Sequence, residues 1–150
     1  MLCELIIENV AVIEKAVIDF RKGFTCLTGE TGAGKSIIID SINAIMGDRV
    51  SKNIVRTGAE KASVVAVFEN LEQSIIDKAM EMDIDLRDEC IVSRQITAEG
   101  KSTARINALL HLLLLSARHL VVQSGQLRRF RPLLQKCPVQ VRQFQDLNRP

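Results

Sequence analysis

The sequence predicts an α/β fold, and three observations carry that prediction. Between residues 24 and 47 a β-rich segment runs directly into a glycine-rich loop and then into a helical pattern. The first thirty residues and the stretch from 62 to 107 are built of short apolar runs broken by charged or turn-forming residues, which is the spacing of strands. Finally, 150 residues with 47% apolar and 25% charged composition suit one ordinary globular domain, and exclude a disordered, collagen-like or coiled-coil chain.

Taken in order, Leu2 to Ile7, Val10 to Ile13 and Ala16 to Phe20 read as three short strands separated by Glu8-Asn9 and Glu14-Lys15. Arg21-Lys22-Gly23 makes a turn, and Phe24 to Thr28 a fourth strand. From Ser36, the residues Ile37, Ile38, Asp40, Ser41, Ala44 and Ile45 give a helix one apolar and one polar face until Gly47 ends it. Ala62 to Glu69 reads as a strand, and Leu71 to Met82 as an amphipathic helix with Leu71, Ile75, Ile76, Ala79 and Met80 inward. Cys90 to Thr97 and Thr103 to Asn107 are two strands joined by the polar turn Ala98 to Ser102, which fits a hairpin. From Ala108 a leucine-rich helix gives way to Gln/Arg-rich sequence that contains Pro132, Pro138 and Pro150.

The net charge of +2 conceals an asymmetry. Residues 1–108 hold 13 basic and 17 acidic side chains, whereas residues 109–150 hold 7 basic side chains against Asp146 alone. We therefore divide the chain into a body, 1–108, and a basic tail, 109–150. The tail suits an anionic partner such as nucleic acid, or else a segment that has diverged, been truncated or been read in a shifted frame. Its apolar periodicity is too irregular to predict docking beyond the leucine-rich start. No apolar run approaches the roughly 20 residues of a membrane span, and Glu4 and Glu8 stand where a secretory signal would be basic. The chain reads as cytoplasmic. Cys3, Cys26, Cys90 and Cys137 lack any C-x-x-C spacing and read as buried, reduced thiols.

Gly29-Glu30-Thr31-Gly32-Ala33-Gly34-Lys35-Ser36 satisfies G-x-x-x-x-G-K-[ST] at every defined position, between a predicted strand and a predicted helix. Glycines remove Cβ atoms so that successive backbone N–H groups can surround phosphate oxygens, and the helix start adds the positive end of its dipole. Lys35 then reaches the β- and γ-phosphates, and the Ser36 hydroxyl coordinates Mg²⁺. The fold class is thereby narrowed to a P-loop NTPase. No N-K-x-D guanine-reading motif occurs. Ile37-Ile38-Ile39-Asp40 has the composition of a Walker B strand but falls on the P-loop helix, so Asp40 reads as an exposed helix residue rather than a magnesium-shell acid.

The segments LCELIIENVAVIEKAVIDF, LTGETGAGKSIIIDSI, MGDR, VRTGAEKA and CIVSRQITAEGKSTARIN carry a resemblance that spans residues 1 to about 108. Together they resemble the N-terminal part of the bacterial RecN family of DNA-repair ATPases, which are similar to the structural-maintenance-of-chromosomes (SMC) proteins. It implies an ABC/SMC-type head of which this chain holds the N-terminal lobe only, a P-loop core flanked by an antiparallel sheet. It implies ATP and Mg²⁺ as cofactors, and DNA together with the C-terminal head lobe or a second head as partners. Its cellular place is the cytoplasm, at the nucleoid, in recombinational repair of double-strand breaks. The family's signature motif and Walker B belong to the C-terminal lobe, so turnover by this chain alone is expected to be negligible. Arg56, in VRTG, matches an arginine near the nucleotide and the DNA-facing surface; a solvated loop arginine beside Gly58 is the other reading. Asn9 reads as a turn residue. In Leu120-Val121-Val122-Gln123-Ser124-Gly125-Gln126, Gln126 matches the Q-loop glutamine, although Ser124 replaces the family's histidine and a surface glutamine fits equally.

Two rival classes are a self-contained small P-loop kinase or nucleotidase, with Arg128, Arg129 and Arg131 as lid arginines, and a DNA-binding adaptor using the tail. The second has only Phe130 and Phe144 as stacking aromatics.

Overall fold

The computed structural model describes residues 1–23, 25–28, 34–82, 84, 86, 89–106, 120–123, 131, 132, 134 and 141–143. Six of its strands form one antiparallel sheet, and a separate pair of strands lies parallel.

The sheet starts as a hairpin. β1 (Leu2–Val10) pairs antiparallel with β2 (Ile13–Asp19), from Glu4 opposite Asp19 to Val10 opposite Ile13. The three short strands expected here are therefore two longer ones, and Val10 to Ile13 is the bend between them. Glu8 and Asn9 do not interrupt β1: Glu8 faces Lys15 across the ladder and their side chains lie 3.2 Å apart. Asn9 adopts φ 53, a left-handed conformation that asparagine tolerates better than most residues. Leu5 and Ile7 point into the core, and so does Val10 one position out of phase, because the left-handed Asn9 intervenes.

β3 (Thr25–Leu27) leads toward the glycine-rich loop, and α1 (Lys35–Ile45) leaves it. A short 3-10 turn at Lys52–Ile54 precedes β4 (Lys61–Glu69). β4 alternates strictly, with Ala62, Val64, Ala66 and Phe68 buried, as expected for a strand with one covered face. In α2 (Gln73–Met80) Ile75 and Ala79 are buried, but Met80 is 58% exposed and does not face inward. One residue beyond Ala79 is about 100° further around the helix, which carries Met80 off the covered stripe.

β5 (Glu89–Thr97) and β6 (Ser102–Ile106) form the predicted hairpin, in which Thr97 N–H donates to Lys101 O at 2.9 Å. β7 (Leu120–Gln123) adds to the free edge of β6, so the sheet runs β2-β1-β4-β5-β6-β7. β8 (Val141–Gln143) pairs parallel with β3, Thr25 opposite Val141 and Leu27 opposite Gln143. Further into the tail Leu134 is 1% exposed within the core cluster, and Arg131 forms an ion pair with Asp48. Irregular side-chain periodicity gave no reason to expect these attachments. Strand addition proceeds through backbone N–H and C=O groups and needs no periodic side chains. The leucine-rich stretch 109–115 lies outside the described residues.

One face of the sheet makes the core, where Leu5, Ile7, Val64, Phe68 and Val92 gather with Ile45, Ile75, Leu86 and Leu134. Helix α1 rests on this face against β1, β4 and β5. Of the cysteines Cys90 alone is buried among those described; Cys26 is exposed on β3 and Cys3 is half-buried, so the expectation of buried thiols fails for these two. Cys26 is the middle residue of β3, where strand alternation turns it the opposite way from the less exposed Thr25 and Leu27. Cys137 lies outside the described residues. Among the described residues, no helix is long and apolar enough to cross a membrane.

Candidate phosphate site

The site lies where β3 gives way to α1. Gly34 is the N-cap of α1, buried, with φ 92, and no side chain among the described residues caps the helix. A left-handed residue at this point turns the chain sharply so that the first-turn amides face outward from the helix end. Ile38 N–H donates to Gly34 O at 3.1 Å, closing the first turn. The first turn holds no acidic residue, so nothing there competes with an anion for the positive end of the dipole. Lys35 is half-buried and Ser36 exposed. Asp40 is exposed on the helix, as expected, and Ser41 beside it is fully buried with its hydroxyl donating to Ile37 O at 2.7 Å. These features fit a phosphate-bearing ligand and a hard divalent cation. Lys35 would hold phosphate oxygens as a point charge and Ser36 would offer a hydroxyl oxygen to Mg²⁺.

Arg56 stands next to this corner through the β1–β2 bend. The loop carrying it is laced to the bend by backbone bonds: Ala11 N–H to Ile54 O at 2.7 Å, Arg56 N–H to Asn9 O at 2.9 Å, and a bridge between Val10 and Val55. Its Nη1 donates to Val12 O at 2.8 Å and its Nη2 lies 3.7 Å from Glu14 Oε2. The residue after Val12, Ile13, places its Cδ1 3.8 Å from where a Cβ on Gly34 would be. The structure thus brings Arg56, the bend and Gly34 into one corner. It also occupies part of the Arg56 fork with a backbone carbonyl, while the side chain keeps 36% exposure. Gly29, Glu30, Thr31, Gly32, Ala33 and Gln126 lie outside the described residues.

Sequence reading did not single out Arg94, which reaches the far end of α1 from β5. A signal existed. Val92, Arg94 and Ile96 occupy alternate positions of an apolar strand, and a charge in that series implies a buried partner.

The profile of the AAA domain family matches residues 4–136, and the chain belongs to that family. It is similar to the N-terminal part of the bacterial DNA repair protein RecN. To that protein from Bacillus subtilis (strain 168) it is 47% identical over 113 residues, 73% of this chain and 19% of the relative. To RecN of Xylella fastidiosa (strain Temecula1) it is 38% identical over 130 residues, 84% of this chain and 23% of the relative. The chain spans about a fifth of the length of the curated relatives it matches. Among solved structures, the Smc head domain from Pyrococcus furiosus, with an extended coiled coil and the C-terminal domain of ScpA bound, superposes with a TM-score of 0.68 at 23% identity. That match covers 88% of this chain and 32% of the other. The recombination mediator RecF with ATP gives 0.58 at 16% identity, covering 84% and 29%. Both establish the fold, an SMC-type head lobe.

Proposed function

We propose that this chain is the ATP-binding N-terminal lobe of a RecN-like head acting in recombinational repair of DNA double-strand breaks. The observation that carries the reading is the fall of the G-x-x-x-x-G-K-S motif between β3 and an uncapped α1, with Gly34 left-handed at the junction. Gly29 to Ser36 hold the phosphates of ATP, Lys35 facing the β- and γ-phosphates and Ser36 contributing a hydroxyl to Mg²⁺. Gln126 takes the Q-loop position and Arg56 borders the nucleotide on the side of the β1–β2 bend. The body, 1–108, supplies the lobe, and residues 109–150 are a divergent basic segment. The bound Mg²⁺ supplies charge neutralisation of the phosphate oxygens. Partners are DNA and a C-terminal lobe or second head that brings the signature motif and Walker B acid; the working place is the cytoplasm, at the nucleoid. The names of the relatives and the likeness to SMC and RecF heads support this assignment.

Calorimetric titration of the chain with ATP and Mg²⁺ tests it, followed by titration with a small phosphate acceptor in place of the second lobe. Binding without turnover supports the half-site. Steady transfer to a small acceptor supports the kinase reading instead, against which Arg131, one of its lid arginines, is paired with Asp48.

A further inference from the structure

Arg94 lies in the middle of a central strand and is 5% exposed. Its neighbours on the same face, Val92 and Ile96, are buried, so strand alternation alone would put an apolar residue there. A buried guanidinium is tolerated only with well-placed acceptors, and two of those of Arg94 lie at the C-terminal end of α1. Nη1 donates to Ala44 O at 2.7 Å and to Asp48 O at 2.6 Å, while Nε donates to Ser102 Oγ on β6 at 3.0 Å. Ala44 is in the last turn of α1 and Asp48 just beyond it. The final carbonyls of a helix have no intrahelical donors and carry the negative end of its dipole; Ala44 O also takes the Gly47 N–H of the C-terminal turn at 3.2 Å, and Arg94 adds a charged donor to it. Helix α1 has no basic residue in its own last turn, and the sheet supplies the cation instead.

We propose that Arg94 is a positioning residue for the phosphate site, acting through α1. This rests on the ATP-binding reading given above. Lys35 and Ala44 sit at opposite ends of the same helix, nine residues and about 13 Å apart at roughly 1.5 Å per residue. An α-helix of this length moves as a rod, so a grip on its last turn fixes where its first turn points. Two acceptors on one nitrogen set the depth of the helix end on the sheet, and the third bond, to Ser102, locks the plane of the guanidinium to β6. Lysine would keep the charge and lose that fork. The Asp48 side chain pairs with Arg131 at the same junction.

The test compares ATP·Mg²⁺ affinity, by calorimetry, in the wild type and in Lys35→Ala, Arg94→Met, Arg94→Lys and Ile75→Ala, each confirmed as folded by circular dichroism at the working temperature. Ile75, buried in α2, controls for lost stability. Arg94→Met is expected to bind at least tenfold more weakly and Arg94→Lys three- to fivefold more weakly. Ile75→Ala should bind as the wild type does. Hydrogen exchange should speed up in α1 at both ends in Arg94→Met. Wild-type affinity in Arg94→Met, with Lys35→Ala unable to bind, would overturn the positioning role and leave the phosphate site intact. An equal loss in Ile75→Ala would overturn it as well, since general destabilisation would then account for the effect. If Arg94→Met does not fold, Arg94→Lys decides, and wild-type affinity there refutes the proposal. Should the wild type itself bind no ATP, the phosphate-site reading falls and takes this inference with it.

Discussion

Replacing Gly34 by alanine separates the two demands made on the loop, backbone conformation and ligand contact. A Cβ at this position would meet Ile13 Cδ1 at 3.8 Å, an ordinary contact, so the substitution introduces no clash. What it introduces is strain, because φ 92 lies where L-residues are disfavoured by about 1–2 kcal/mol. In a chain of this length 1 kcal/mol corresponds to roughly 2–4 °C in Tm, so Gly34→Ala should lower Tm by about 2–8 °C. Saturating ATP works in the opposite direction: at a hundredfold excess over Kd it adds about 2.7 kcal/mol, or roughly 5–10 °C in the wild type. In the variant the strain is relieved by rotating the Gly34–Lys35 peptide, which turns the first-turn amides away from the phosphates. The ligand-induced rise should therefore shrink to a small fraction of the wild-type value. Thermal unfolding followed by an added environment-sensitive dye, since the chain has no Trp or Tyr, with and without ATP and Mg²⁺, reads both quantities. An unchanged Tm with a full ATP-induced rise would refute the conformational reasoning. A lowered Tm with a full rise would show that the backbone is strained but takes no part in binding.

Lys35→Ala should abolish ATP binding and leave the circular dichroism spectrum unchanged, because the lost side chain is a half-buried cation at a helix end rather than a core residue; equal affinity in calorimetry would sink the P-loop assignment. The chain alone should hydrolyse ATP at the no-enzyme background, and adding a C-terminal lobe should restore turnover; robust phosphate release by the chain alone would favour a self-contained enzyme. Phe68→Ala, at a site 1% exposed on β4, should cost about 3–5 kcal/mol in urea unfolding, and a loss below 1 kcal/mol would mean the sheet face is not packed as described. The Arg131–Asp48 pair is partly exposed, at 40% and 37%, so a double-mutant cycle should return a coupling near or below about 1 kcal/mol. In a Cys137→Ser background, the exposed Cys26 should react first with a thiol reagent and the buried Cys90 last. Burial pushes the Cys3 thiol up, so its labelling should rise with pH at higher values than that of a free thiol such as glutathione, and coincident profiles would contradict the described burial.

The candidate phosphate site could be proposed from the sequence because its motif is local. Eight consecutive residues define the loop, and the change from strand to helix periodicity on either side places it between β3 and α1. The β5–β6 hairpin and the alternation of β4 were legible for the same reason, since a two-residue period records which face is covered. The bend of the first hairpin was harder. Glu8-Asn9 looks like a break, yet cross-strand pairing of Glu8 with Lys15 and the left-handed Asn9 keep β1 continuous. Arg56 could be picked out as a cation near the site, but its bond to Val12 O joins residues 44 apart and follows from no local rule.

Tertiary structure alone decided how the two ends of α1 are held and what completes the sheets. Arg94 and Ala44 are 50 residues apart, and their contact exists because β5 passes beneath the last turn of α1. β3 and β8 pair across more than a hundred residues, through backbone groups that every residue type carries. Sequence by itself determined the motif, most of the strands and helices, and the apolar faces, because covalent spacing and side-chain periodicity are properties of short segments. The choice of partner for a buried charge or an open strand edge depends on which distant segments the fold brings to it, and only the assembled core selects among them.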